Sequence, residues 1–179
     1  MVPLSVLFAD VRGYTSLTEG ISPAEVPALM NRFYASASAA LLSAEGLLGQ
    51  VEGDNVMGLF VPGLAGKDYP RKAVEGARAL LRSIGYGGDE VVWLEIGLGI
   101  ATGEEFVGNV GGGGYKDFTA LGDVTNTAAR LTAQAAAGEI LIDAETYAVV
   151  AEDYPDAERR ELELKGKSAL VEAFVIRSV

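Results

Sequence analysis

Two aspartates, Asp10 and Asp54, stand where predicted strands end. Residues 3–9 form a short apolar run that predicts a buried strand, and Asp10 follows it directly. Residues 47–52 and 55–61 predict a tight hairpin with Asp54 at its turn. Two carboxylates on adjacent strands can share divalent metal ions, as two-metal phosphoryl-transfer sites require. On spacing alone each aspartate also fits a turn residue or a helix cap, so the flanking residues must decide.

A second pattern with chemical potential is Asn126 followed by Arg130 in a helix predicted from about 123 to 135. Residues four apart point from the same helix face, so an amide and a guanidinium could reach one phosphate group together. A solvated helix face is the plainer interpretation of such a pair taken alone.

Composition narrows the chemistry that these residues could perform. The chain has 179 residues, 25 of them acidic and 14 basic, for a formal net charge of −11. This balance argues against binding nucleic acid or anionic lipid by charge alone. The chain has no cysteine and no histidine, which excludes disulfides, thiolate metal sites and the commonest general base. The remaining hard oxygen ligands favour Mg²⁺ or Mn²⁺.

The chain as a whole predicts one domain over residues 1–179, with no internal repeat or linker. Its first ten residues, MVPLSVLFAD, lack a basic region and a long apolar stretch. We therefore expect neither a signal peptide nor a membrane span here, and a cytoplasmic location unless another segment anchors the protein.

Helices and strands alternate in the predicted order. A capping box over residues 22–25 predicts a long amphipathic helix with Pro23 at its first position, after a loop at 12–15. Residues 91–101 and 105–110 predict two strands that pair across a turn; the turn residues are Thr102 and Gly103. Further strands are predicted at 118–121, 139–142, 159–164 and 170–177, and further helices from 70 to 84 and after Asp143. Such alternation favours an α/β sandwich.

Several ordered segments together resemble the catalytic domain of class III nucleotidyl cyclases, the adenylate and guanylate cyclase family. They are VLFADVRGYTSLTE, VEGDNVMGLF, GLGIATGEEFVGNVG, FTALGDVTNTAARL and ELKGK, and they span nearly the whole chain. Several motifs in order are far more specific than any single match. The resemblance implies an α+β fold with a ferredoxin-like βαββαβ core sheet and helices packed on it. It also implies a head-to-tail homodimer with active sites between the two chains.

The resemblance assigns metal binding to Asp10, Val11 and Asp54, which would hold two Mg²⁺ or Mn²⁺ ions on the triphosphate. One ion would lower the pKa of the ribose 3′-hydroxyl, and the other would neutralise the β- and γ-phosphates. From the partner chain, Asn126 would orient the ribose and Arg130 would stabilise charge on the α-phosphate. Further phosphate contacts are implied for Lys165 and for the backbone amides from Val11 to Thr15, which include those of Gly13 and Tyr14.

Base recognition is where the chain departs from the best-known adenylate cyclase pattern. That pattern has a Lys four residues before the second metal aspartate, where this chain has Gln50, and an Asp where this chain has Thr119. The Glu and Cys expected of a guanylate cyclase are absent as well. Because a glutamine amide both donates and accepts, it could pair with either purine. We expect ATP, converted to 3′,5′-cyclic AMP and pyrophosphate for intracellular signalling. A guanylate cyclase and a weakly active nucleotide-binding or dimerisation module are the alternatives.

One competing motif is the tetrapeptide Gly87-Gly88-Asp89-Glu90, which resembles the start of the diguanylate cyclase signature. Val91 follows it where that signature has Phe. A short glycine-rich stretch after a predicted helix is expected to be a connection, and we interpret it so.

Overall fold

One mixed sheet organises the chain. The computed structural model describes residues 1–110, 117–163 and 170–177. Its strands are β1 (Val2–Val11), β2 (Leu47–Glu52), β3 (Asn55–Phe60), β4 (Ile96–Val110), β5 (Asp117–Leu121), β6 (Glu139–Asp143), β7 (Glu158–Leu162) and β8 (Val171–Arg177). Its helices are α1 (Tyr14–Glu19), α2 (Val26–Ser43), α3 (Pro62–Ala65), α4 (Tyr69–Ile84), α5 (Asp123–Gln134) and α6 (Ala144–Val150), with a 3₁₀ turn at Gly66–Asp68.

The strand order is β2-β3-β1-β4-β6-β8-β7, and β5 pairs with β4. Strand β1 lies antiparallel to both β3 and β4, while β4 and β6 are parallel. The units β1-α2-β2-β3-α4-β4 therefore form a βαββαβ core with β1 at its centre. The ferredoxin-like fold expected from the sequence is confirmed.

The middle of strand β1 is mostly apolar, and both of its faces are covered there. Leu7 and Ala9 point into the cluster formed with α2 and α4. Leu4 and Val6 point to the opposite face, where they pack with Ala128 of α5. Period-two alternation places these pairs on opposite faces, so a strand covered on both sides loses the polar half of its pattern.

Helix α5 lies unusually close to the sheet because glycines in β4 leave room for it. A Cβ atom at Gly99 would overlap the backbone of Ala128 and Thr132, and one at Gly97 would lie 2.8 Å from the Ala135 carbonyl oxygen. This close approach fixes the distance of α5 from the sheet, which matters for the residues that α5 carries.

The predicted turn at Thr102 and Gly103 is wrong, because β4 runs unbroken through both residues. Strand β1 pairs with this whole stretch, with Ser5 opposite Thr102 and Leu4 opposite Gly103. The Ser5 and Thr102 hydroxyls also share a 2.6 Å hydrogen bond. A long partner strand therefore outweighs the local turn preference. Residues 91–95 precede β4 and are not part of it.

Two further boundaries differ from expectation. The segment predicted as a loop at 12–15 leads into helix α1, whose first residue is Tyr14. The long helix begins at Val26 with Pro27 in its first turn. The capping-box residues form a turn just before it, in which the Ser22 N–H donates to the Glu25 carboxylate at 2.9 Å. In the described residues no helix is long and apolar enough to cross a bilayer.

Candidate active site

The end of β1 and the turn between β2 and β3 bring Asp10 and Asp54 to one place. Asp10 lies opposite Asn55 in the β1–β3 pairing. The backbone N–H of Val11 donates to the Asp54 carbonyl oxygen at 3.1 Å. Both aspartates line one cavity of about 540 Å³, together with Gln50 of β2. Two carboxylates that share a cavity at a strand end have the arrangement that a shared cation site requires.

The electrostatics of Asp10 reflect this crowding. Partial burial raises the pKa of Asp10, the Arg12 guanidinium lowers it, and the nearby Asp54 carboxylate raises it again. Like charges in a partly buried place repel each other, and a bound cation would relieve that repulsion. A cation here would add to the partial compensation that Arg12 already provides for the Asp10 carboxylate.

The donor set fits Mg²⁺ or Mn²⁺. The two carboxylates are hard oxygen ligands, and Mg²⁺ is commonly held by one or two carboxylates plus substrate phosphates. Val11, the third predicted ligand, is not among the residues that line the cavity. Across residues 1–110, 117–163 and 170–177, no group of three acidic side chains is placed to hold a metal by itself. Phosphate and water oxygens would have to complete the coordination.

Arg12 is a site residue that the sequence analysis missed. Its Nη2 donates to Asp10 Oδ2 at 2.5 Å, and its Nε donates to the Asp10 carbonyl oxygen at 3.3 Å. Its Nη1 reaches the Ala135 carbonyl oxygen, just beyond α5, at 3.3 Å. The i,i+2 spacing of Asp10 and Arg12 at a strand end could have indicated the first contact, because such residues share a face. The contact with Ala135 has no local signal.

Tyr34 is a second residue that the sequence analysis did not place at the site. It lies in helix α2, and its hydroxyl donates a hydrogen bond to the Gly53 carbonyl oxygen. Gly53 has φ +57°, a left-handed conformation that glycine adopts without strain. Tyr34 thus ties α2 to the turn that carries Asp54.

The loop after β1 presents backbone N–H groups beside Asp10. Gly13 adopts a left-handed conformation with φ 62° and starts helix α1. The N–H groups of Val11 and Arg12 already donate to the carbonyl oxygens of Asp54 and Glu95. The N–H groups of Gly13, Tyr14 and Thr15 have no acceptor in the part of the chain that the structure describes. Of the predicted phosphate-binding amides, these three are available.

Asn126 and Arg130 are not among the residues that line the cavity of the two aspartates. Both belong to α5, where Asn126 is exposed and Arg130 is half-buried. Arg130 forms no ion pair with any described residue. Among the residues that the structure describes, no acidic side chain pairs with the Arg130 guanidinium, so it and the Asn126 amide are open to a contact from outside α5.

Of the two predicted base-contacting residues, Gln50 lines the cavity of the two aspartates and Thr119 is not among its lining residues. Thr119 lies on β5, opposite Gly108, and its hydroxyl is 3.4 Å from the Ala120 carbonyl oxygen. Lys165 lies outside the described residues. The tetrapeptide at 87–90 lies in the connection between α4 and β4, as expected.

Comparison with known proteins finds a family match over nearly the whole chain. Residues 2–178 match the family described as adenylate and guanylate cyclase catalytic domain. An adenylate cyclase of Anabaena cylindrica is 31% identical over 134 residues, which cover 72% of this chain and 26% of that protein. The terminal-differentiation-specific adenylate cyclase of Dictyostelium discoideum is 32% identical over 130 residues, 71% of this chain and 6% of that protein. The chain thus spans a minor part of these relatives.

Solved structures agree with this assignment. The adenylyl cyclase CyaB from P. aeruginosa superposes with a TM-score of 0.84 at 31% identity, covering 99% of this chain and 95% of that one. The guanylyl cyclase Cya2 superposes with a TM-score of 0.82 at 26% identity, covering 97% of this chain and 90% of that one. Because the family match covers residues 2–178 and the fold agrees with it, the chain belongs to the adenylate and guanylate cyclase family, as a class III nucleotidyl cyclase domain.

Proposed function

We propose that this chain is one adenylate cyclase catalytic domain that converts ATP to 3′,5′-cyclic AMP and pyrophosphate in a cytoplasmic homodimer. The observation that carries the proposal is the meeting of Asp10 and Asp54 in one cavity. The family accounts for the reaction class, and the cavity supplies a place for cations on a triphosphate.

In the proposed reaction, the ribose 3′-oxygen attacks the α-phosphorus while the bond from that phosphorus to the bridging oxygen of pyrophosphate breaks. Asp10, Asp54 and the Val11 carbonyl would hold two Mg²⁺ or Mn²⁺ ions, which would supply Lewis acidity that favours loss of the 3′-hydroxyl proton and departure of pyrophosphate. The proton would pass to water. The chain has no histidine to accept it.

The phosphate contacts follow from the available groups. The N–H groups of Gly13, Tyr14 and Thr15 would donate to phosphate oxygens, and Lys165 would add a positive charge. Arg130 would stabilise charge on the α-phosphate, and Asn126 would orient the ribose. Removal of a contact that stabilises such charge typically lowers the rate on the order of a hundredfold or more.

A head-to-tail homodimer would complete the site. Asn126 and Arg130 do not line their own chain's cavity, so a second copy must supply them if they act at the metal ions. Exposed apolar side chains on β2, on the end of β4 and on β5 support such an interface. They are Leu48, Val51, Phe106, Val110 and Leu121.

The choice of ATP is supported by the relatives. Identity to the adenylyl cyclase CyaB is 31%, against 26% to the guanylyl cyclase Cya2. Gln50 lies at the cavity edge, where an amide could pair with either purine. The similarity to Cya2 makes a guanylate cyclase the second candidate. Product analysis with ATP and GTP in parallel, each with Mg²⁺ and Mn²⁺, separates the two; cyclic GMP as the main product would overturn the ATP assignment.

The shared site can be tested by mixing two inactive variants, Asp54→Ala and Arg130→Ala. A mixed dimer contains one site with intact metal ligands from one chain and an intact Arg130 from the other. We expect activity above that of either variant alone. Absence of rescue, with mixed dimers demonstrated, would contradict the shared site.

Calorimetry with a non-cyclisable ATP analogue, beside a turnover assay, distinguishes a binding module, which would bind nucleotide without turning it over.

A further inference from the structure

Glu105 is a buried acid with no role in the reaction proposed above. It lies in β4 and is 1% exposed. Its Oε2 accepts a hydrogen bond from the backbone N–H of Thr125 at 2.8 Å. Its Oε1 has no hydrogen-bond partner among the residues that the structure describes. Unpaired buried carboxylate oxygens are costly, and a site that keeps one calls for an explanation.

The contact with Thr125 supplies what the start of α5 lacks. Gly122 is the residue before the helix and has no side chain with which to cap it. In contrast, Asp143 caps α6 with its own carboxylate, which accepts from the Thr146 N–H. A Cβ atom at Gly122 would lie 2.9 Å from Glu105 Oε1. Glycine here leaves room for a cap that comes from the sheet.

Helix α5 is the element that carries Asn126 and Arg130. Asn126 directly follows Thr125, whose N–H Glu105 accepts, so the bond fixes the first turn of α5 against β4. The hydroxyl of Thr125 is also buried without a partner in the described residues. An apolar side chain at 105 would remove one orphan oxygen, so stability alone does not explain a glutamate there.

We propose that Glu105 is a positioning residue that caps α5 from the sheet and sets where Asn126 and Arg130 point; this rests on the function proposed above. It touches no reacting atom. Asn126 and Arg130 would serve the metal ions that the partner chain holds. Glu105 would therefore affect the site with the partner's metal ligands, and not the site that contains Asp10 and Asp54 of its own chain. This assignment distinguishes it from a residue that merely holds the fold.

Two variants of similar length isolate the cap. Glu105→Gln keeps an oxygen that can accept the Thr125 N–H, whereas Glu105→Met fills the space without an acceptor. We expect Gln to keep kcat within about threefold and Met to lower kcat on the order of tenfold to a hundredfold, since small misplacements cost that much. Mn²⁺ affinity should be unchanged in both. The Met variant should unfold within about 5 °C of the wild type, because removing an orphan oxygen offsets the lost bond.

Mixed dimers provide the decisive comparison. Glu105→Met mixed with Asp54→Ala should regain activity, because one site then combines intact metal ligands with an intact α5. Glu105→Met mixed with Arg130→Ala should show no gain. Gain with both partners, gain with neither, or wild-type activity of the Met homodimer would overturn the proposal. The Asp54→Ala and Arg130→Ala mixture is the control: if that alone fails, the shared site is at fault and not the role of Glu105.

Discussion

Arg12 and Asp10 form an ion pair in which Nη2 and Oδ2 lie 2.5 Å apart. The pair is partly shielded, with side-chain exposures of 20% and 28%. Arg12 therefore occupies a carboxylate that we assign to metal binding. Any divalent ion that binds Asp10 must share the carboxylate with this guanidinium or displace it. The ion pair therefore lowers the affinity of the site for a divalent ion.

Replacing Arg12 with Met should tighten Mn²⁺ binding in the absence of nucleotide. The substitution removes one positive charge beside Asp10 and leaves both carboxylates to the ion. Because solvent partly screens these charges, we expect the affinity for Mn²⁺ to rise roughly threefold to tenfold. Titration followed by electron paramagnetic resonance measures it. Arg159→Met is the matched control, because Arg159 pairs with Glu172 on β8, away from the cavity. Unchanged or weaker Mn²⁺ binding in the Arg12 variant would refute the competition.

Tyr34→Phe tests the link between α2 and the turn that carries Asp54. Loss of the hydroxyl removes the bond to the Gly53 carbonyl and should cost ~1 kcal/mol of unfolding free energy. Because the turn then moves more freely, kcat/KM should fall on the order of fivefold to fiftyfold.

The control for this variant is Tyr147→Phe. The Tyr147 hydroxyl also donates a hydrogen bond to a backbone carbonyl oxygen, that of Tyr154, at 3.2 Å. Tyr147 is not among the residues lining the cavity of Asp10 and Asp54, so its loss should lower stability by a similar amount and leave kcat/KM unchanged. Equal kinetic effects of the two variants would show that the Tyr34 bond has no specific bearing on the site.

Asp143 should make stability depend on pH. Burial raises the pKa of Asp143 from 3.8 to about 6, against hydrogen bonds from Thr146 and Thr102 that lower it. Folding thus favours the protonated acid. Its contribution is fully present below pH 3.8 and is lost as the pH rises through about 6. The difference between these pKa values corresponds to ~3 kcal/mol.

The measurement is the free energy of unfolding of the wild type minus that of Asp143→Asn, followed by denaturant titration across this pH range. Asparagine does not titrate, so the difference isolates Asp143. We expect the wild type to lose stability relative to the variant as the pH rises. A difference that is constant with pH would show that burial does not raise this pKa.

Much of the fold was predictable because its local signals agree with its packing. The apolar run before Asp10 and the glycine turn before Asp54 describe strands that the sheet then pairs. The turn predicted at Thr102 and Gly103 failed for a physical reason. Its local chemistry suits a turn, but β1 offers a continuous hydrogen-bonding partner along β4 from Ile96 to Glu105, and that partner is distant in sequence.

The candidate site was predictable to the extent that its residues sit at ends of elements. Asp10 and Asp54 could be found from strand ends, and Asn126 with Arg130 from helical spacing. Tyr34 and Glu105 could not, because their partners at Gly53 and Thr125 are 19 and 20 residues away and only the packed helices bring them together. Residues that position others leave little trace in local sequence.

Replacement of Asp54 by Asn, an uncharged side chain of nearly the same shape, tests the central claim most directly. The quantity to measure is cyclic nucleotide formed from ATP with Mn²⁺, beside Mn²⁺ binding and thermal unfolding of the same preparations. We predict that the wild type forms cyclic AMP. Asp54→Asn should fold normally, bind Mn²⁺ more weakly and form product at a rate lower on the order of a hundredfold or more. A folded Asp54→Asn protein with undiminished product formation would contradict the account.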